Sequence, residues 1–134
     1  MAVLLQDEAL LAPRRRLHLL AADLAALGRS PDVVQALPSC PPPPLRDAHE
    51  ALGSLYVMEG STLGGRVILR HIGDRLGLDG SAGCAYFAGY GPATAAMWRS
   101  FLLRLDAADP RDAARIAAGA AATFESLGAW LTLQ

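Results

Sequence analysis

The sequence predicts an all-helical fold in a single domain, and three observations carry that reading. Hydrophobic residues make up 52% of the 134-residue chain. They are mostly alanine and leucine, with few β-branched side chains, and no segment alternates apolar and polar residues as a half-buried strand does. Proline, glycine and small polar residues punctuate stretches of helical period. A chain of this length suits one domain, and its apolar share is enough for a core.

The elements follow in order. Residues 2–11 read as a short apolar helix. Pro13 fits the first turn of a second helix that runs to residue 27 and stops at Gly28. Leu17, Leu20, Leu24 and Leu27 share one face of it, with Arg14, Arg15 and Asp23 elsewhere. Ser30-Pro31-Asp32 is an N-cap with proline at the first helical position, opening a short helix to residue 37. The prolines of the run Pro38-Ser39-Cys40-Pro41-Pro42-Pro43-Pro44 lack amide donors and disfavour helix in the residue before them, so the run reads as a rigid extended connector. A polyproline ligand for another module is the alternative. A long helix covers residues 46–76, with Gly77 as its C-terminal cap. The loop Asp79-Gly80-Ser81-Ala82-Gly83 follows. A helix over 92–107 repeats Met97, Phe101 and Leu105 at intervals of four. Asp109-Pro110 opens a last helix to residue 131 that carries Ile116, Phe124, Leu127 and Trp130. No internal repeat is evident.

Charge and composition exclude several function classes. The net charge of −1 gives no general attraction to nucleic acid or anionic lipid. No run of 18 apolar residues indicates a transmembrane helix, and the first residues lack the basic region of a signal peptide. The expectation is a cytoplasmic protein. All twelve basic residues are arginine. Cys40 and Cys84 have no metal-ligand spacing and read as reduced thiols, with a mutual disulfide as the alternative. There is no phosphate loop, no Ser-His-Asp arrangement, no zinc spacing and no basic patch with interleaved aromatics.

The most informative stretch is the long helix. It carries Gly53, Gly60, Gly64, Gly65 and Gly73. Each glycine in a helix interior costs about 0.5–1 kcal/mol relative to alanine. At about 100° per residue, Gly53, Gly60 and Gly64 fall close to one line, flanked by Val57 and Val67, with Tyr56 nearby. A bare stripe lets a planar ligand reach the backbone, or lets a second helix pack closely. From spacing alone, helix packing is the commoner use.

The stretch LGSLYVMEGSTLGGRVILRHI, from Leu52 to Ile72, resembles the distal helix of the bacterial biliverdin-producing heme oxygenases, the type often found beside bacterial phytochromes. The downstream run Tyr86-Phe87-Ala88-Gly89-Tyr90-Gly91-Pro92, through Met97-Trp98-Arg99-Ser100-Phe101, is similar to the family's next segment. The resemblance implies an all-α heme oxygenase-like domain. It also implies heme as both cofactor and substrate, oxidised to biliverdin, iron and carbon monoxide, with an external electron donor. Protein groups then orient heme and hold an ordered water network. By motif match, Gly60, Ser61, Gly64 and Gly65 are the distal residues. Tyr56 can reach the heme edge, with a core tyrosine whose hydroxyl is bonded as the equal alternative. Gly60 and Ser61 are the catalytic candidates. In the mammalian enzymes a carboxylate often organises the water; Ser61 occupies that position here.

The remaining polar residues are less selective. Glu59 reads as a surface or outer ion-pair partner of Arg66 or Arg70. Arg66, Arg70 and Arg99 are candidates for the heme propionates, since guanidinium suits carboxylates. Tyr86, Phe87, Tyr90, Met97, Trp98 and Phe101 read chiefly as core. The family holds iron through a histidine on its first helix, which has no counterpart here, so the expectation is an N-terminally truncated member. His18 reads as a surface residue. His49 and His71 project toward the glycine face but sit on the distal helix itself. A missing helix would leave an apolar groove and favour a homodimer or a second chain. The alternative functions are a non-catalytic heme or bilin carrier and a helical interaction protein.

Overall fold

The computed structural model describes residues 2–133 and contains eight α-helices among them: α1 (Ala2–Leu5), α2 (Glu8–Leu11), α3 (Leu17–Ala26), α4 (Pro31–Gln35), α5 (Ala48–Leu76), α6 (Ala85–Ala88), α7 (Thr94–Asp106) and α8 (Ala113–Thr132). Single 3₁₀ turns precede α3, α7 and α8, and the only strand-like pairing among the described residues is the isolated bridging at Asp79. The fold is all-α, as the sequence predicts.

Boundaries differ from expectation where a local cap overrides period. The first apolar stretch splits because Gln6 takes φ +48°, and Asp7 then caps α2 by accepting the Leu10 amide at 2.9 Å. Pro13 lies in the 3₁₀ turn Ala12–Arg14, so α3 begins later, at Leu17. Ser30 caps α4 through the Val33 amide at 3.4 Å, as read from sequence. α5 runs unbroken through all five glycines, and Gly77 ends it at φ +66°, donating its amide to the Gly73 carbonyl.

The chain divides into two compact units. The first comprises the stretch up to Pro13, Ser39–Gly60 and the stretch from Trp98 onward; the second comprises Arg14–Pro38 and Ser61–Met97. In the first unit, Leu10, Leu11, Leu52, Leu55 and Phe101 form the buried core, with Leu5, Trp98, Leu105 and Ile116 packed on it. Asp47 starts α5 by accepting the amides of His49 at 2.9 Å and Glu50 at 3.1 Å. Its other oxygen takes the Arg115 guanidinium of α8 at 2.6 Å. These bonds hold the Asp47 carboxyl below its ordinary range, the Arg115 contact most of all. The buried Glu50 is held low in the same way, first by the Arg46 side chain.

The second unit corrects the reading of α3. Leu17, Leu20 and Leu27 are exposed, and the buried residue is Asp23. The reason lies in α6, whose preceding residue Cys84 makes no side-chain cap. Its first amides need acceptors, and the Asp23 carboxylate supplies both, taking Ala85 at 2.8 Å and Tyr86 at 2.7 Å. Arg16 is also buried. Its guanidinium lies over the rings of Tyr86 at 4.9 Å and Tyr90 at 5.4 Å, a cation–π arrangement.

Candidate functional site on α5

The glycines of α5 serve different purposes. A methyl group on Gly53 would fall 1.8 Å from the Ile116 carbonyl oxygen, so this glycine exists to let α8 approach. One on Gly65 would fall 2.8 Å from the Phe87 carbonyl oxygen, again a backbone contact. One on Gly60 would meet only the edge of the Trp98 ring, at 3.8 Å. At Gly64 a methyl would meet nothing within 4 Å. The line expected from the helical wheel is real, but its covering changes along the helix: packed at Gly53, walled by an indole at Gly60 and open at Gly64.

Around that open turn the exposed side chains are Leu63, Val67 and Ile68, with Ser61 and Arg66 also exposed. Apolar surface left on a helix interior position of this kind marks a contact face. Leu63, Val67 and Leu69 share a hollow of about 460 Å³ with Arg66 and Arg70. A neighbouring hollow of about 400 Å³ runs along Val67, Ile68, Arg70, His71 and Asp74. In the first unit, Tyr56 is part-exposed, its ring 5.5 Å from that of Trp98. Tyr56 also borders an apolar cavity of about 590 Å³ between α7 and α8, lined by Leu102, Leu105, Ile116 and Ala120.

The other candidates named from the sequence fall elsewhere. Glu59 is only 2% exposed, so it is an interior group and not a surface one. Its place on the inner face of α5 follows from sharing that face with Leu52 and Leu55, which the wheel could have shown. Phe124, Leu127 and Leu131 of α8 are exposed, while Gly119 and Thr123 are the residues that face inward. Small residues win there because the helices cross backbone to backbone. His18 is exposed, as expected. The Nε2 atom of His49 sits 3.2 Å from Asp112 and its Nδ1 atom 3.7 Å from Asp47, so this imidazole belongs to the salt-bridge cluster at the start of α8. His71 is exposed on α5 itself. Cys40 and Cys84 are both free thiols. Trp98, read as core, is the residue that sequence reasoning undervalued: it packs on the core and also closes Gly60.

The Heme oxygenase family model matches residues 7–132. The chain belongs to the heme oxygenase family. It is 37% identical over 113 residues to the heme oxygenase of Xanthomonas campestris pv. campestris (strain 8004), a match that covers 83% of this chain and 64% of that relative. The chain therefore spans less than two thirds of the relative it matches. No solved structure matches it.

One face of α5 in the second unit stands apart from the rest of the helix. The backbone at Gly64 is approachable, its neighbours are apolar, and two arginines line the adjoining hollow. No helix among the described residues is long and apolar enough to cross a membrane.

Proposed function

We propose that this chain binds heme against the open turn of α5 and takes part in its oxidative cleavage to biliverdin, iron and carbon monoxide. The observation that carries the reading is Gly64: on a helix whose other interior glycines are covered, it alone combines open space with exposed apolar neighbours. Heme, when bound, supplies the iron at which oxygen is activated.

The residues of the chain orient and shield. The bare backbone at Gly64 lets the macrocycle lie at van der Waals distance from α5. Leu63 and Val67 exclude bulk water from that contact. The hydroxyl of Ser61, one turn away, holds ordered water where the mammalian enzymes use a carboxylate. Arg66 and Arg70 pair with the propionates, and Gly60 and Gly65 keep the helix close to its walls. Electrons come from an external donor. The two free thiols fit a reducing, cytoplasmic setting.

A second reading, a heme or bilin carrier without turnover, draws support from His71, which lies exposed on α5 itself, whereas His49 is engaged by two aspartates at the start of α8.

Titration of the purified chain with hemin tests the first reading. A sharp Soret band saturating at one-to-one stoichiometry is expected, followed by a green product under ascorbate and oxygen. Gly64→Leu should abolish the band with the helical circular dichroism unchanged. A broad band like that of free hemin in the unaltered chain overturns binding altogether. A sharp band with no green product favours the carrier.

A further inference from the structure

We infer that a hollow in the first unit, between the proline connector and the helices α5 and α8, binds a compact uncharged molecule through one oxygen that accepts a hydrogen bond from Ser54. None of the residues assigned to heme takes part in it.

Ser54 is 1% exposed, and its hydroxyl has no hydrogen-bond partner among the described residues. A serine inside a helix can donate to the carbonyl four residues back, which here is that of Glu50. The Glu50 carbonyl lies against Gly119 of α8, where a methyl group would fall 1.9 Å from its oxygen. On α8, Thr123 does make the equivalent bond, to the Gly119 carbonyl at 2.8 Å. Of these two buried hydroxyls, one is spent and one is left over. A buried hydroxyl without a partner is costly, and a guest that meets it removes that cost.

The hollow sets what that guest is. It holds about 250 Å³ and is lined by Cys40, Ser54, Met58, Thr123, Ser126 and Leu127 with three prolines of the connector. None of these residues is charged, so an ion would enter without a counter-charge. The Cys40 thiol is directed at the carbonyls of Pro41 at 3.4 Å and Ser126 at 3.8 Å. With Thr123 also committed, the Ser54 hydroxyl is the donor that remains. At water's share of about 30 Å³ per molecule, the volume suits about eight non-hydrogen atoms. A small ketone, ester or ether has that size and offers that acceptor.

Cyclohexanone is a probe of this chemistry, and the part-exposed Cys40 thiol in the wall of the hollow reports on it. In the full chain, cyclohexanone should slow labelling of Cys40 saturably and leave Cys84 unaffected. Cyclohexylamine, similar in shape but cationic at neutral pH, should have no effect. Ser54→Ala should weaken the apparent affinity for cyclohexanone about threefold to tenfold, the worth of one hydrogen bond. The same variant without cyclohexanone should unfold at an unchanged or higher temperature, because its hydroxyl gives up no partner. A lowered unfolding temperature would show the hydroxyl already bonded and overturns the assignment. So does the absence of slowing by cyclohexanone, an equal slowing by cyclohexylamine, or an unchanged affinity in Ser54→Ala.

Discussion

Gly119 of α8 rests directly on Glu50 of α5: a methyl group on the glycine would fall 1.9 Å from the Glu50 carbonyl oxygen. The contact is reciprocal, because Gly53 meets the Ile116 carbonyl at 1.8 Å by the same measure. Each glycine lies about one helical turn beyond the residue that the other touches. The two backbones are in contact at this crossing, and neither glycine tolerates a side chain there.

Gly53 and Gly119 should therefore respond to substitution with the opposite sign from Gly64. Gly53→Ala and Gly119→Ala each force the helices apart and should destabilise the fold by at least about 1–3 kcal/mol. Gly64→Ala adds a methyl group to open space and removes backbone freedom from the unfolded chain. It should stabilise by about 0.5–1 kcal/mol. Urea unfolding of the three variants decides the matter by sign. Destabilisation by Gly64→Ala would show that its surroundings are already filled.

The glycine line was legible in the sequence because helical geometry alone fixes it. What covers each glycine was not, because that depends on distant chain segments, such as Ile116 beside Gly53. Resemblance supplied the ligand reading at Gly64, while periodicity could only offer packing or a ligand. The error over α3 has a physical cause too. Its leucines lie on one face, but the bare amides at the start of α6 demand an acceptor, and Asp23 meets that demand while Leu17 and Leu27 are left exposed.

Asp23 accordingly carries a large share of the second unit. Removing it leaves the Ala85 and Tyr86 amides without their acceptor. Asp23→Ala should cost about 2–3 kcal/mol, the range for hydrogen bonds to a charged group together with the orphaned donors. Asp23→Asn keeps one acceptor oxygen and should recover part of the loss. Amide hydrogen exchange at Ala85 and Tyr86 checks the cause: both should lose protection in the alanine variant. Unchanged protection would mean that these amides find other acceptors.

Acid should weaken the start of α5. The folded Asp47 carboxyl is held low, first by the Arg115 hydrogen bond and then by the Glu50 amide. A carboxyl depressed in the folded state adds stability above its unfolded value, and that stability is lost as pH falls through the lowered folded value. Asp47→Asn keeps a capping oxygen but loses the charge. Thermal unfolding should therefore show the variant less stable at neutral pH, with the gap closing below the ordinary carboxylate range. A gap that stays constant into acid would assign the effect to capping instead.

The two thiols should react at very different rates. Cys84 is 2% exposed, and burial together with the nearby Asp23 and Asp79 charges pushes its thiol up from the ordinary value. The thiolate is the reactive form, so both access and ionisation work against it. Cys40 is part-exposed beside the proline connector, its Sγ 3.8 Å from the Ser126 carbonyl. Labelling of the native chain with an aromatic disulfide reagent should modify Cys40 first, and Cys84 only at the rate of local opening in the second unit. Mild urea, below the unfolding transition, should then accelerate Cys84 and leave Cys40 nearly unchanged. Equal rates in native buffer would mean that the α6 segment opens freely, and the Asp23 contacts would then contribute little to holding it.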